Sequence, residues 1–168
     1  MFNMDLRNRI LKIKLVAFDI DGVITDGSMI YDDNGLQYKT FNAKDGQGIA
    51  MLTKSGLKTA IITAKESGAV LHRFEDLGMT KLYQGVKNKI TVMKELINEF
   101  NIDMSEAAYM GDDLPDISIL KEVGLACCPS DAVSEVKNIC HFISGKRGGR
   151  GAVRELTDLI YKTQAKKF

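Results

Sequence analysis

The chain has 168 residues, 45% of them hydrophobic and 27% charged, with a formal net charge of +1. That length suits one domain with a core of its own, and the composition excludes a disordered or fibrous chain. The near-neutral charge implies no broad attraction to nucleic acid or membrane, and no apolar run approaches the ~20 residues of a spanning helix.

Met1–Lys12 is mixed in character and reads as a lead-in turn or short helix, with no signal-peptide pattern. Leu15 to Phe18 is apolar at every position, as expected for a parallel strand buried on both faces, and it ends in Asp19-Ile20-Asp21-Gly22. The stretch 28–41 reads as strand, turn, strand around Asp32-Asp33-Asn34-Gly35, a protruding β-hairpin that needs cover for its apolar arms. Asp45 is expected to cap a helix running to Ser55. Thr59–Ile62 is a second buried strand ending at Thr63, followed by a helix over Glu66–Leu77 stopped by Gly78. Leu82-Tyr83 makes a short strand. Lys89 opens a helix to Phe100, with Ile90, Met93, Ile97 and Phe100 at helical spacing.

Ala107–Met110 is the next strand and ends at Gly111-Asp112-Asp113. Pro115 then sits in the first turn of a helix. Gly124–Cys128 is a strand, Ala132–Asn138 a short helix, and Cys140–Ile143 a last extended piece. Gly145–Gly151, with four glycines and three basic residues, is expected to be a mobile basic loop before a final helix over Ala152–Lys162. Lys166 and Lys167 read as a solvated tail. Strands alternating with helices predict an α/β fold, a Rossmann-like parallel sheet flanked by helices, as one domain spanning 1–168. Cys127, Cys128 and Cys140 read as reduced thiols and suggest a cytoplasmic setting; His72 and His141 stand alone and take structural roles.

In a parallel sheet the carboxyl ends of the strands share one edge, where such sheets bind ligands. Asp19, Asp21, Thr63, Asp112 and Asp113 all lie at strand ends, and Lys89 follows a strand. Paired carboxylates repel and call for a cation, and Mg²⁺ takes oxygen ligands and accompanies phosphate. One carboxylate can attack phosphorus while another moves the proton. Each residue also has a structural alternative: Asp-x-Asp-Gly opens calcium loops, Thr63 could cap a helix, and Lys89 could sit at the surface. Their order along the strand ends favours phosphoryl transfer.

Asp19-Ile20-Asp21-Gly22, Thr63, Lys89 and Gly111-Asp112-Asp113 together resemble the four signatures of the haloacid dehalogenase-like superfamily. The resemblance implies Asp19 as nucleophile, Asp21 as general acid/base, and Mg²⁺ on the side chains of Asp19 and Asp112 and the backbone carbonyl of Asp21. Thr63 and Lys89 would hold the phosphoryl oxygens, with Asp113 and Asp116 supporting the metal. Thr25-Asp26-Gly27, Phe41-Asn42-Ala43-Lys44-Asp45-Gly46, Tyr83-Gln84-Gly85 and Gly148-Gly149-Arg150-Gly151-Ala152-Val153-Arg154-Glu155 resemble, more narrowly, the 3-deoxy-D-manno-octulosonate (KDO) 8-phosphate phosphatases of lipopolysaccharide biosynthesis.

That resemblance implies a cap-less homotetramer built through the hairpins, with the tail from 145 onward able to reach a neighbouring site. Only the hairpin lies between Asp26 and the following helix, and no domain-sized insertion separates Thr63 from Lys89, which agrees with a cap-less fold. The implied substrate residues are Asp21, Asn42, Ala43, Lys44, Asp45, Gly46, Lys65, Arg73, Lys89 and Arg150. The family usually carries arginine where this chain has Lys44, Ala50 and Lys65. Lysine and arginine bind a carboxylate differently, so a nine-carbon sialic-type acid 9-phosphate is an alternative substrate. The cationic Lys65 favours the eight-carbon acid, because the nine-carbon relative tends to be acidic there. A non-catalytic domain partnering a nucleotidyltransferase is the other alternative. No nucleic-acid or membrane partner is expected.

Overall fold

The computed structural model describes residues 4–165, and in it helices cover both faces of a six-stranded parallel sheet. In chain order the elements are α1 (Met4–Ile10), β1 (Leu15–Phe18), β2 (Ile30–Tyr31), β3 (Gln37–Tyr38), α2 (Ala43–Lys54), β4 (Lys58–Ile62), α3 (Gly68–Asp76), β5 (Lys81–Tyr83), α4 (Lys89–Phe100), β6 (Ala107–Met110), α5 (Ile117–Leu120), β7 (Leu125–Cys128), α6 (Ser134–Lys137), β8 (Phe142–Ile143) and α7 (Ala152–Ala165). The sheet order is β5-β4-β1-β6-β7-β8, and β2 pairs with β3 in a separate antiparallel hairpin. The Lys166-Lys167 end lies outside the described residues. Among the described residues, no helix is long and apolar enough to cross a membrane.

The unbroken apolar run of β1 has a direct cause. Val16 and Phe18 face a core with Ile49, Leu52, Val70, Leu156 and Ile160 of α2, α3 and α7. Leu15 and Ala17 face a second core with Met93, Leu96, Ile119 and Leu120 of α4 and α5. Each fully buried large side chain stabilises the fold by about 1.5–3 kcal/mol, so both faces of β1 must be apolar. The strand pairs in parallel with β4 and β6, Phe18 lying opposite Ile61 and Met110, and the Asp19 N–H donates to the Met110 carbonyl at 3.0 Å. The ends of β1, β4 and β6 therefore stand level, and Asp19, Thr63 and Gly111 follow them on one edge.

Several expected boundaries move. Asn42, not Asp45, caps α2: its side chain accepts from the N–H groups of Lys44 and Asp45. Asp45 is fully buried and serves a different helix, its two oxygens accepting from the Gly151 and Arg154 N–H groups at the start of α7. Helix α3 starts at Gly68 rather than Glu66, because the Ser67 N–H is held by the Gln84 side chain and Ser67 stays extended. Helix α6 is a single turn. The hairpin is shorter than 28–41, with two residues per arm, and Phe41 packs against the core.

The loop 145–151, expected to be mobile, is hydrogen-bonded along its length. Asp131 accepts from the Gly148 N–H and from Arg147, Glu155 accepts from the Gly145 N–H, and the Gly149 N–H donates to the Val23 carbonyl. Two of its glycines allow close approach: a Cβ on Gly148 would stand 1.8 Å from the Gly22 carbonyl oxygen, and one on Gly149 2.4 Å from the Asp26 nitrogen.

Candidate active site

The chain leaves β1 through a wide helical turn over Ile20–Ile24 that carries Asp21 and Gly22. Thr25 fastens this turn, its N–H and hydroxyl both bonding the Ile20 carbonyl and its hydroxyl accepting from the Gly22 and Gly27 N–H groups. Gly22 has φ +86°, a region that favours glycine, and a Cβ there would lie 2.0 Å from Asp112 Oδ2. One residue thus meets two demands, the sharp turn and room for a carboxylate from the loop after β6.

Asp19 accepts from the Ile20 N–H at 2.7 Å through Oδ1 and meets Lys89 Nζ at 2.9 Å through Oδ2. Lys89, at the start of α4, has 4% of its side chain exposed and also reaches Asp116 Oδ1 at 2.7 Å. Tyr109, fully buried in β6, donates its hydroxyl to the same Asp116 oxygen at 2.7 Å. The other oxygen, Asp116 Oδ2, accepts from the Asp112 and Asp113 N–H groups. Asp116 is therefore a brace that fixes Lys89 and the Gly111–Asp113 backbone together.

One side-chain oxygen from each of Asp19, Asp112 and Asp116 lies within 4.8 Å of the others. Each Asp116 oxygen already has two partners, whereas each Asp19 oxygen has one, so Asp19 and Asp112 keep the more open lone pairs. Asp112 Oδ1 is buried with no hydrogen-bond partner among the described residues. Burial, then the charges of Asp19, Asp116 and Asp113, push the Asp112 carboxyl up to about 8. Burial, then Asp116, raises Asp19 to about 6 against the opposing pull of Lys89. Burial also works against the Lys89 ammonium, but Asp19 and Asp116 outweigh it and hold its pKa above the ordinary lysine value. One ammonium against three carboxylates leaves negative charge in surplus, and a small divalent cation fits that donor set.

The remaining expected residues divide. Thr63 is buried, its backbone tied to Tyr83 and Val86, and its hydroxyl has no partner among the described residues. Asp21 forms a hydrogen-bonded ion pair with Lys39, which lies outside the expected site residues. Asp113 is exposed and caps the turn Leu114–Asp116, so it supports Asp112 through charge and position only. Arg73 donates to the Asn42 carbonyl at 3.3 Å, stacks 5.8 Å from the Phe41 ring, and keeps a buried Nε without a partner among the described residues. Gly46 makes room for it, since a Cβ there would meet Arg73 at 2.0 Å. Ala43, Lys44 and Lys65 are exposed.

Asp45, expected to meet substrate, accepts from N–H groups at the start of α7 through both of its oxygens. Arg150 pairs with Asp26 at 2.8 Å within the same chain, and the two line a cleft of about 280 Å³ with Thr40, Phe41, Asn42 and Gly149. Neither Lys39 nor Tyr109 left a local signal. Their positions depend on the hairpin folding back and on which face of β6 meets α4.

A family model for haloacid dehalogenase-like hydrolases matches residues 78–156. The KDO 8-phosphate phosphatase of Yersinia pestis is 38% identical over 162 residues, covering 96% of this chain and 87% of its own. This chain belongs to the KDO 8-phosphate phosphatase family. The family's enzyme from Escherichia coli K12 is 38% identical over 154 residues, covering 92% of this chain and 82% of its own. The family structure from Moraxella catarrhalis, solved with a magnesium ion, a phosphate ion and KDO, superposes with a TM-score of 0.94 at 36% identity, covering 97% of this chain and 94% of that one. A cobalt-bound family member from Haemophilus influenzae gives 0.90 at 34% identity, covering 94% and 92%.

Proposed function

We propose that this chain is a Mg²⁺-dependent phosphatase that hydrolyses KDO 8-phosphate to KDO and phosphate. The observation that carries the reading is the cluster at the sheet edge: Asp19 beside Lys89, with the buried, unpartnered Asp112 oxygen opposite. The side chains of Asp19 and Asp112 and the backbone carbonyl of Asp21 would hold the metal. Mg²⁺ bound there neutralises phosphate charge and polarises the phosphoryl group.

Asp19 attacks phosphorus as the bond from phosphorus to the sugar oxygen breaks, and Asp21 gives that oxygen a proton. Lys89 and Thr63 hold the phosphoryl oxygens. Water then attacks the phosphoryl-Asp19, Asp21 takes its proton, and phosphate leaves with Asp19 restored. Asp116 keeps Lys89 aimed at Asp19 throughout. Arg73, backed by Phe41, supplies a cation for the sugar acid beside Asn42, and Arg150 supplies another across the cleft.

The chain acts as a single domain and as a cytoplasmic homotetramer joined through the hairpin. Ile30, Tyr31, Leu36 and Tyr38 are each about half exposed there, which supports an interface role. Phosphate release from KDO 8-phosphate, from a nine-carbon sialic-type acid 9-phosphate and from p-nitrophenyl phosphate, with and without Mg²⁺, tests the reading. The eight-carbon substrate is expected to lead by at least ~10-fold in kcat/KM, the scale set by roughly 1.4 kcal/mol of differential binding. The departures at Lys44, Ala50 and Lys65 make the nine-carbon acid the rival, and a reversed order would establish it. No turnover of any of the three would overturn the phosphatase assignment.

A further inference from the structure

Lys39 follows β3, the second arm of the hairpin, yet only 2% of its side chain is exposed. Its ammonium has one partner among the described residues, Asp21 Oδ1. A buried ammonium held by a single carboxylate is costly to desolvate and is strongly disfavoured when its partner is lost, so the pair acts as a unit. Asp21 Oδ2 takes no hydrogen bond among the described residues, and 19% of the Asp21 side chain stays open to solvent. One oxygen of Asp21 is thus tethered and the other is available.

The tether matters because Asp21 sits on the turn after β1 with φ −73° and ψ 118°, outside helical geometry, next to Gly22 at φ +86°. That backbone is fastened by Thr25, whose hydroxyl bonds Ile20, Gly22 and Gly27 and makes no hydrogen bond to the Asp21 side chain. Among the described residues, Lys39 is the hydrogen-bond partner that holds this carboxylate. Proton transfer needs the donor within about 2.6–3.2 Å of its acceptor, and a loosely held carboxylate meets that condition only part of the time.

We propose that Lys39 is a positioning residue for the reaction: it clamps one oxygen of Asp21 so that the other delivers the proton to the departing oxygen. This rests on the phosphatase reading above. It also gives the hairpin a role inside its own subunit's site, because the residue that steers the acid/base is carried on the hairpin's returning strand.

The test is a series of substituted phenyl phosphates run from p-nitrophenyl, whose anion leaves readily, to phenyl, which needs the proton. The slope of log kcat/KM against leaving-group pKa reports acid assistance through phosphoryl transfer, and it excludes sugar contacts. Asp21→Asn sets the slope without an acid. Lys39→Met is expected to steepen the slope toward that of Asp21→Asn. Its loss on phenyl phosphate should exceed 10-fold, with less than a 3-fold loss on p-nitrophenyl phosphate, within the ~10²–10⁴-fold range of a full acid/base contribution.

A purely structural role lowers all substrates by one factor and leaves the slope unchanged; that result, in a variant with wild-type melting and assembly, overturns the proposal. Lys39→Gln keeps a donor without the charge and carries the measurement if methionine prevents folding. An intermediate slope is expected from it, and a wild-type slope overturns the proposal. Wild-type protein that turns over no phenyl phosphate and no sugar phosphate would reject the phosphatase reading itself, a result distinct from an unchanged slope.

Discussion

Replacing Asp112 by Asn is expected to stabilise the metal-free protein while removing its activity. The carboxyl of Asp112 is held at about 8 by burial first, then by Asp19, Asp116 and Asp113, against an ordinary value of 3.8. A raised carboxyl pKa in the folded state means that ionisation opposes folding. The sign is therefore fixed: metal-free stability falls as pH rises from the unfolded value toward the folded one, and the loss persists above it.

At pH 7 about three pH units of that interval have been crossed. At about 1.4 kcal/mol per unit this amounts to about 4 kcal/mol, reduced to roughly 2 kcal/mol by solvent screening, since Asp112 is partly exposed. At pH 5 the same reasoning leaves under about 1.5 kcal/mol. Asparagine keeps the shape and cannot ionise, so it removes the penalty.

Urea unfolding in chelator at pH 5 and pH 7 measures the difference directly. A gain of about 2 kcal/mol corresponds to a rise of about 4–8 °C in Tm for a chain of this size. With Mg²⁺ the order reverses, because the wild type gains about 2.7 kcal/mol at a hundred times its Kd and the variant gains little. An Asp112→Asn protein less stable than wild type in chelator at pH 7, or one whose advantage is the same at pH 5, would refute the reasoning.

Asp19→Asn should lose turnover to the limit of detection with melting unchanged, since an amide cannot form the acyl phosphate; phosphate release above a trace in purified variant would remove Asp19 as nucleophile. Leu36→Lys with Tyr38→Lys, at positions 58% and 49% exposed, should dissociate the assembly; light scattering that shows a monomeric wild type at micromolar concentration would count against the hairpin interface. Asp45→Ala strips two backbone donors of α7 of their acceptor, and a cost of about 1–3 kcal/mol in chemical denaturation is expected with KM unchanged; a raised KM at undiminished stability would return Asp45 to the substrate site. Arg150→Ala should lower kcat/KM for KDO 8-phosphate more than for p-nitrophenyl phosphate, and an unchanged ratio in the intact assembly would show that Arg150 leaves substrate alone.

Much of this protein is written locally. An apolar run sealed on both faces can only be a central parallel strand, so β1 and the carboxylates at its end could be located from residues 15–22 alone. Parallel pairing then places every strand end on one edge, which gathers Asp19, Thr63 and Asp112 without further information. Lys89 at the first position of α4 follows from the same alternation of strand and helix.

What the sequence left open are contacts across long separations, where a residue's type does not disclose its partner. Asp45 has the form of an N-cap, but α2 already has Asn42, and α7 arrives more than a hundred positions later with unpaired N–H groups for Asp45 to accept. The glycines of 145–151 look like flexibility, but two of them, Gly148 and Gly149, press against the turn after β1, where a Cβ would not fit. Lys39 looks like any lysine on a hairpin, and only the fold-back of β3 carries it under cover to Asp21. Local chemistry and strand pairing decided where the site is. Tertiary packing decided which neighbours pair with the residues of that edge and which are tied up elsewhere in the fold, because burial and charge depend on every element that closes over a side chain.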